Sequence, residues 1–99
     1  MGRTKQGFAP PAGPQRTYSW ITETINANKL GSAEVLVTED KDYLQQVLAA
    51  IQDPTARMAM SPRALAKIKS EIVLAKRDAR FSSRIAERKD VLDAIQRAI

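Results

Sequence analysis

The clearest hydrophobic pattern in the chain lies in residues 38–53, which read TEDKDYLQQVLAAIQD. Leu44, Val47, Leu48 and Ile51 recur at i, i+3, i+4 and i+7, the spacing that places apolar side chains on one face of an α-helix. Acidic residues cluster in the first turn, where the helix dipole favours negative charge. The pattern therefore predicts an amphipathic helix that buries one face.

A shorter helix is predicted upstream, in residues 17–31, which read TYSWITETINANKLG. Ile21 and Ile25 recur at helical spacing, and Gly31 stands where a helix commonly stops. The next segment, residues 32–40, contains three successive apolar residues that suit either a short strand or the start of a helix. Because no second strand is visible to pair with it, we interpret this segment as a connector or a helix start.

Two proline residues mark the starts of further helices. Asp53 precedes Pro54 and Ser61 precedes Pro62, so each proline takes a first helical position after a side chain that can cap the helix. The first pair predicts one further helical turn, and the second predicts a long helix.

Residues 62–99 do not fit one continuous helix with a single buried face. In the first half the apolar side chains gather on one side: Leu65, Ile68, Ile72, Ala75 and Ala79. In the second half they gather on nearly the opposite side: Phe81, Ile85, Leu92, Ile95 and Ile99. Either the helix breaks at Ser82 or Ser83, whose hydroxyl can cap a new helix, or the second half packs on another subunit. Globular helices average about 11–12 residues, which favours the break.

The sequence therefore predicts an all-α fold, a small bundle of about four helices formed by residues 17–99 as one domain. Residues 1–16 hold three of the four glycines and three of the five prolines, without apolar periodicity. This composition predicts a flexible, basic N-terminal arm, and an inert tail is the alternative.

Apolar residues make up 43% of the chain, but only five residues are aromatic. The core must therefore be built from Ile, Leu, Val, Met and Ala, a mixture that favours helices. Trp20 stands beside Ile21, and we interpret it as a core residue rather than as a platform for stacking on a base.

Composition also limits the chemistry that the chain can perform. Cysteine and histidine are absent, which excludes disulfides, thiol nucleophiles, imidazole bases and the zinc sites that depend on those ligands. The dense carboxylates Glu39, Asp40 and Asp42 lie at a predicted helix start, where the helix dipole explains them. We therefore expect a non-enzymatic protein with no metal, no cofactor and no small-molecule substrate.

The hydropathy of the chain predicts no contact with a membrane. No apolar run approaches the roughly 20 residues of a membrane span. The first residues also lack the continuous apolar segment of a secretory signal. We expect a soluble protein located in the cytoplasm, or within a particle assembled there.

Positive charge collects at the two ends of the chain, whose net charge is +5. Residues 1–20 carry three bases and no acid, residues 21–60 carry three bases against six acids, and residues 61–99 carry ten bases against five acids. Within the last segment lies a cationic row: Lys76, Arg77, Arg80, Arg84 and Arg88. Four of these residues are spaced at intervals of four, which would place them along one helix face.

The cationic row is the candidate binding site, together with Arg3, Lys5 and Arg16 of the N-terminal arm. Three interpretations are open: a solvated face, contact with phosphates, or pairing with the acidic middle segment of a neighbouring subunit. The leading hypothesis is a small basic helical protein that binds DNA or RNA non-specifically through phosphates.

The alternative hypothesis is an assembly, adaptor or inhibitor protein, of the kind that a phage or mobile element often encodes. In this interpretation the C-terminal apolar stripe packs on a second copy of the chain or on a larger protein partner. For the cationic row, an acidic protein surface is the alternative to nucleic acid. The residues of that partner-binding stripe are Phe81, Ile85, Leu92, Ile95 and Ile99.

Overall fold

The computed structural model describes the backbone of residues 14–99 and the side chains of residues 18–99. In that part of the chain there are six α-helices, one 3₁₀ turn and no strands. The elements are α1 (Pro14–Asn26), α2 (Ala33–Thr38), α3 (Lys41–Gln52), α4 (Pro54–Met58), α5 (Pro62–Arg77), the 3₁₀ turn (Ala79–Phe81) and α6 (Ser82–Ala98). The predicted all-α fold is confirmed, and α1, α3, α5 and α6 are its four long helices.

The N-terminal boundary of the first helix differs from the prediction. The arm is predicted to span residues 1–16, but helix α1 begins at Pro14. The last three residues of the predicted arm therefore belong to the helix. Proline suits this place because its fixed φ and missing N–H are tolerated in a first turn. The rest of the predicted arm lies outside the described residues. Residues 33–38, in the segment interpreted as a connector or helix start, form α2.

The two predicted proline-led helix starts are confirmed. The Asp53 carboxylate accepts a hydrogen bond from the Ala56 amide at 2.9 Å, at the start of α4. The Ser61 hydroxyl accepts one from the Ala64 amide at 3.3 Å, at the start of α5. Each side chain satisfies one of the amides that the first turn of a helix leaves unpaired.

The end of α1 is tied to the connection between α4 and α5. The Asn26 side chain donates to the Ala59 carbonyl at 2.9 Å and accepts from the Ser61 amide at 2.7 Å. The chain then turns through Asn28, whose φ of 62° is in the left-handed region that asparagine tolerates. At Gly31 an added Cβ would overlap the Asn28 side-chain oxygen, so a larger residue here would require the Asn28 side chain to move.

The core lies where α3 packs on α6, α2 and α6 pack on α5, and α1 packs on α3 and α4. Its largest fully buried side chains are aliphatic: Ile21, Ile25, Leu30, Leu36, Leu44, Ile51, Ile68, Ile72, Leu92 and Ile95. The interpretation of Trp20 as a core residue is wrong, since it is 48% exposed and its ring centroid lies 5.6 Å from that of Tyr43. The aliphatic core fills the interior without a large aromatic.

The predicted break in residues 62–99 is confirmed, but not at a serine cap. Helix α5 ends at Arg77, and the Asp78 carboxylate accepts from the Arg80 amide at 3.0 Å at the start of the 3₁₀ turn. Helix α6 then begins at Ser82 without a side-chain cap. A second irregularity follows at Arg88, whose φ of −132° and ψ of 22° kink α6.

Most residues of the predicted partner-binding stripe are buried within the chain. Ile85, Leu92 and Ile95 are buried in the core, and Phe81 and Ile99 are half-buried against it. Because α6 packs on α3 and α5, its apolar face finds an intramolecular partner. In this fold the three buried members of the stripe contact other helices of the same chain, and packing of the stripe on a partner stays a prediction.

Candidate nucleic-acid interface

The cationic row predicted from the sequence is not a single helix face. Lys76 and Arg77 end α5, Arg80 lies in the 3₁₀ turn, Arg84 lies in α6, and Arg88 lies at the kink. The 3₁₀ turn and the kink at Arg88 interrupt the helix, so the spacing of four does not correspond to one regular helix face. Each member must therefore be judged by its own contacts.

Arg80 is engaged within the 3₁₀ turn. Its Nη2 donates to Asp78 Oδ2 at 2.7 Å, its Nε donates to Asp78 Oδ1 at 3.1 Å, and its guanidinium lies 5.3 Å from the Phe81 ring centroid. Hydrogen bonds from Arg80 lower the pKa of Asp78, and the same pair raises the pKa of Arg80. The Arg80 cation is therefore matched by a carboxylate from the same turn.

Arg88 forms its contacts within the kink of α6 and is mostly buried. Its side chain is only 13% exposed, and its Nη1 donates to the Arg84 carbonyl at 2.7 Å. The same nitrogen lies 3.6 Å from Glu87 Oε1. A cation that satisfies a carbonyl at a helix irregularity has a structural role.

Two members of the row keep their guanidinium groups unpaired. Arg77 and Arg84 are exposed, and neither side chain has a hydrogen-bond or ion-pair partner among residues 18–99. The side chains of Arg3, Lys5 and Arg16 lie outside the described residues. The row thus contributes two unpaired cations, Arg77 and Arg84. Its remaining member, Lys76, lies beside other cations from α6.

Lys76 faces an open cleft between α5 and the C-terminal part of α6, with a volume of about 440 Å³. We name this feature the basic cleft, and its lining residues are Lys69, Lys76, Lys89, Asp93, Gln96 and Arg97. Four cations and one carboxylate thus surround the same space. The lining therefore carries more positive than negative charge.

Asp93 holds two of the four cations. Lys76 Nζ is ion-paired with Asp93 Oδ1, and Lys89 Nζ lies 2.7 Å from Asp93 Oδ2. The Lys76 ammonium also donates to Gln96 Oε1 at 2.8 Å. Hydrogen bonds from Lys76 and then Lys89 lower the pKa of Asp93 to about 2, so this carboxylate is charged at neutral pH.

The other two cations of the cleft are exposed and unpaired. Neither Lys69 nor Arg97 has a hydrogen-bond or ion-pair partner within residues 18–99. With Asp93 neutralising one of four positive charges, the basic cleft has a formal excess of three. An external anion would meet two uncompensated cations beside two lysines that can exchange partners.

Sequence reasoning missed Lys69, Lys89 and Arg97. Lys69 and Lys76 are seven residues apart on α5, which places them on one face, and Lys89, Asp93 and Arg97 repeat every four residues on α6. These spacings predict that the residues share a helix face. The sequence does not predict that the two faces meet, because their meeting depends on how α6 packs against α5.

Most unpaired carboxylates of the described residues lie on other elements than the basic cleft. Five carboxylates without a hydrogen-bond or ion-pair partner among the described side chains are found on α1, on α2 and around the start of α3: Glu23, Glu34, Glu39, Asp40 and Asp42. No group of three or more acidic side chains in residues 18–99 is arranged to hold a metal ion. None of the helices in the described region has the length and apolarity needed to cross a bilayer.

No protein-family model, no curated protein and no solved structure matches this chain. The functional inference therefore rests on the chain's own geometry and charge.

Proposed function

We propose that this is a non-enzymatic helical protein that binds nucleic acid through phosphate groups held in the basic cleft. The observation that carries the proposal is the convergence of Lys69, Lys76, Lys89 and Arg97 on one concave surface with a single carboxylate. Lysine and arginine contacts to phosphates supply affinity that is independent of sequence and is lost as salt rises.

Segregation of charge supports an anionic ligand better than net charge does. Residues 61–99, which form α5, the 3₁₀ turn and α6, carry ten bases and five acids. Residues 21–60 carry three bases and six acids, so their potential opposes that of the other part. A polyanion would approach the α5 and α6 side, and Arg77 and Arg84 would extend its contact beyond the cleft.

The proposal extends to both DNA and RNA, because phosphate contacts do not distinguish bases. Arg3, Lys5 and Arg16 in the N-terminal segment would add further phosphate contacts. Their contribution is separable from that of the cleft by deleting the first residues or by substituting the cleft cations.

The test is a titration with fluorescent duplex and single-stranded oligonucleotides at two salt concentrations. Binding at low salt that weakens steeply at high salt is expected, and the Lys69→Ala/Arg97→Ala variant should reduce the salt slope by about two contacts. Lys29→Ala, which removes an exposed, unpaired cation from the α1–α2 connection, is the matched control. Absence of binding at low salt, or equal binding by the cleft variant, would overturn the proposal.

A further inference from the structure

A second concave surface lies beside the basic cleft, between α4, the first turns of α5 and the end of α6. Its volume is about 490 Å³. We name it the apolar groove, and its main apolar lining residues are Met58, Met60, Pro62, Leu65 and Ile99. Two cations, Arg57 and Lys69, complete the rim, and no acidic residue lines it.

Hydrogen bonds between α4 and the end of α6 lie at one side of the groove. Arg57 Nη1 donates to the Ala98 carbonyl at 2.8 Å, and Nη2 lies 3.5 Å from the Ile99 carbonyl oxygen. This link fixes Ile99 at one wall, while the buried side chains of Met60 and Leu65 form the floor. A partner would therefore meet a shape that already exists, which lowers the entropy lost on binding.

Met58 is the unusual side chain of this surface. It is 88% exposed, the most exposed of the large hydrophobic residues in the described part of the chain. It sits at the rim of a groove rather than alone on a convex surface. Methionine is flexible and polarisable, which suits a side chain that closes over an apolar ligand.

We propose that the apolar groove docks an acidic amphipathic segment of a protein partner, whose apolar side chains contact Met58, Met60 and Leu65. Charge complementarity identifies this occupant. Lys69 lines both the apolar groove and the basic cleft, so the groove continues into a surface with three further cations. Carboxylates that follow the apolar anchors of the segment would face those cations.

A nucleic acid does not match this part of the surface. The lining of the apolar groove contains no aromatic ring on which a base could stack. Its thioethers and aliphatic side chains donate no hydrogen bond to a phosphate, and Arg57, one of its two cations, already donates to the Ala98 carbonyl. The inference therefore goes beyond the proposed nucleic-acid function and does not require it.

The chain offers a direct readout, because it contains only three methionines, Met1, Met58 and Met60. A protein labelled with ¹³C in its methionine methyl groups would be titrated with a synthetic peptide that has leucines at helical spacing and glutamates on its other face. The Met58 and Met60 signals should shift together and saturate. Replacing the glutamates by glutamines should weaken binding by about tenfold or more at low salt, as expected for loss of several charge pairs.

The matched variants are Met58→Ser and Leu74→Ser, which remove exposed apolar side chains inside and outside the apolar groove. Met58→Ser should weaken peptide binding by about tenfold, the effect of losing one buried apolar side chain, and Leu74→Ser should leave binding unchanged. No shift of the Met58 and Met60 signals, or equal binding of the glutamine peptide, would overturn the proposal. Shifts of the same signals on concentrating the protein without peptide would identify a second copy as the occupant and would also overturn it.

Discussion

Lys76, at the end of α5, is ion-paired with Asp93 in the second half of α6. The pair lies inside the basic cleft, where Lys89 contacts the same carboxylate from the other side. Asp93 is thus an internal anion placed where an external phosphate would bind. Its presence has consequences for binding, for stability and for the pH dependence of both.

Neutralising this carboxylate should strengthen binding of nucleic acid. In Asp93→Asn, Lys76 and Lys89 lose their internal partner and become available to phosphates, so the salt slope should steepen by about one to two contacts. Fluorescence anisotropy with one oligonucleotide at several salt concentrations measures this slope. Asp90→Asn is the control, since Asp90 pairs with Lys41 outside the basic cleft; an equal gain in both variants would indicate a general charge effect.

The same substitution should cost a small amount of stability. Asp93 holds two cations but remains partly exposed, so Asp93→Asn should lower the free energy of unfolding by about 0.5–1 kcal/mol. Urea unfolding at neutral pH and low salt measures the difference. High salt should shrink it, because screening weakens exposed ion pairs.

The stability contributed by Asp93 should depend on pH in the acid range. Its pKa is lowered from 3.8 to about 2 in the folded protein, so folding favours the charged carboxylate. The contribution is fully present above the unfolded value and is lost as the pH falls through the folded value. The difference in free energy of unfolding between wild type and Asp93→Asn should therefore disappear between about pH 5 and pH 2. A difference that stays constant over this window would show that the ion pairs do not stabilise the fold.

Shortening a buried side chain of α6 should reduce the stability of the fold and leave the oligomeric state unchanged. Leu92 is fully buried, so Leu92→Ala should lower the free energy of unfolding by about 2–5 kcal/mol. Thermal or urea unfolding measures the loss, and Ile99→Ala, at a half-buried position, should cost less. If Leu92→Ala instead dissociated an oligomer in sedimentation experiments and left unfolding unchanged, the stripe would be an intermolecular surface.

The turn between α5 and α6 should depend on Asp78. Asp78→Ala removes the cap of the 3₁₀ turn and the partner of Arg80, so it should lower the midpoint of urea unfolding. Glu87→Ala, which removes a carboxylate 3.6 Å from Arg88, is the control and should have little effect. Equal unfolding curves for the two variants would contradict the role assigned to Asp78.

Features set by neighbouring residues were predictable from the sequence, and features set by helix packing were not. The caps at Asp53 and Ser61 need only a side chain and the amide three residues later, so their sequence pattern was sufficient. The reversal of the apolar stripe predicted the break after α5. It did not distinguish Asp78 from the two serines, since all three side chains can accept a hydrogen bond at a helix start.

The residues that form the basic cleft were likewise only partly predictable from the sequence. Lys76 was predicted as a site residue, but its partner Asp93 is 17 positions away and on another helix. Trp20 was assigned to the core by its type, whereas packing of α1 leaves it beside Tyr43 at the surface. Both outcomes depend on the relative placement of helices, which periodicity within one helix does not report.

The central claim is that the basic cleft binds phosphates, and chemical-shift mapping with an oligonucleotide at low salt tests it most directly. The account predicts that the largest shifts come from Lys69, Lys76, Lys89 and Arg97, that they follow one binding curve, and that they vanish at high salt. It also predicts that α2 and the start of α3, where acids collect, stay unshifted. The absence of shifts, or shifts centred on those acidic helices while the cleft stays unchanged, would contradict the account.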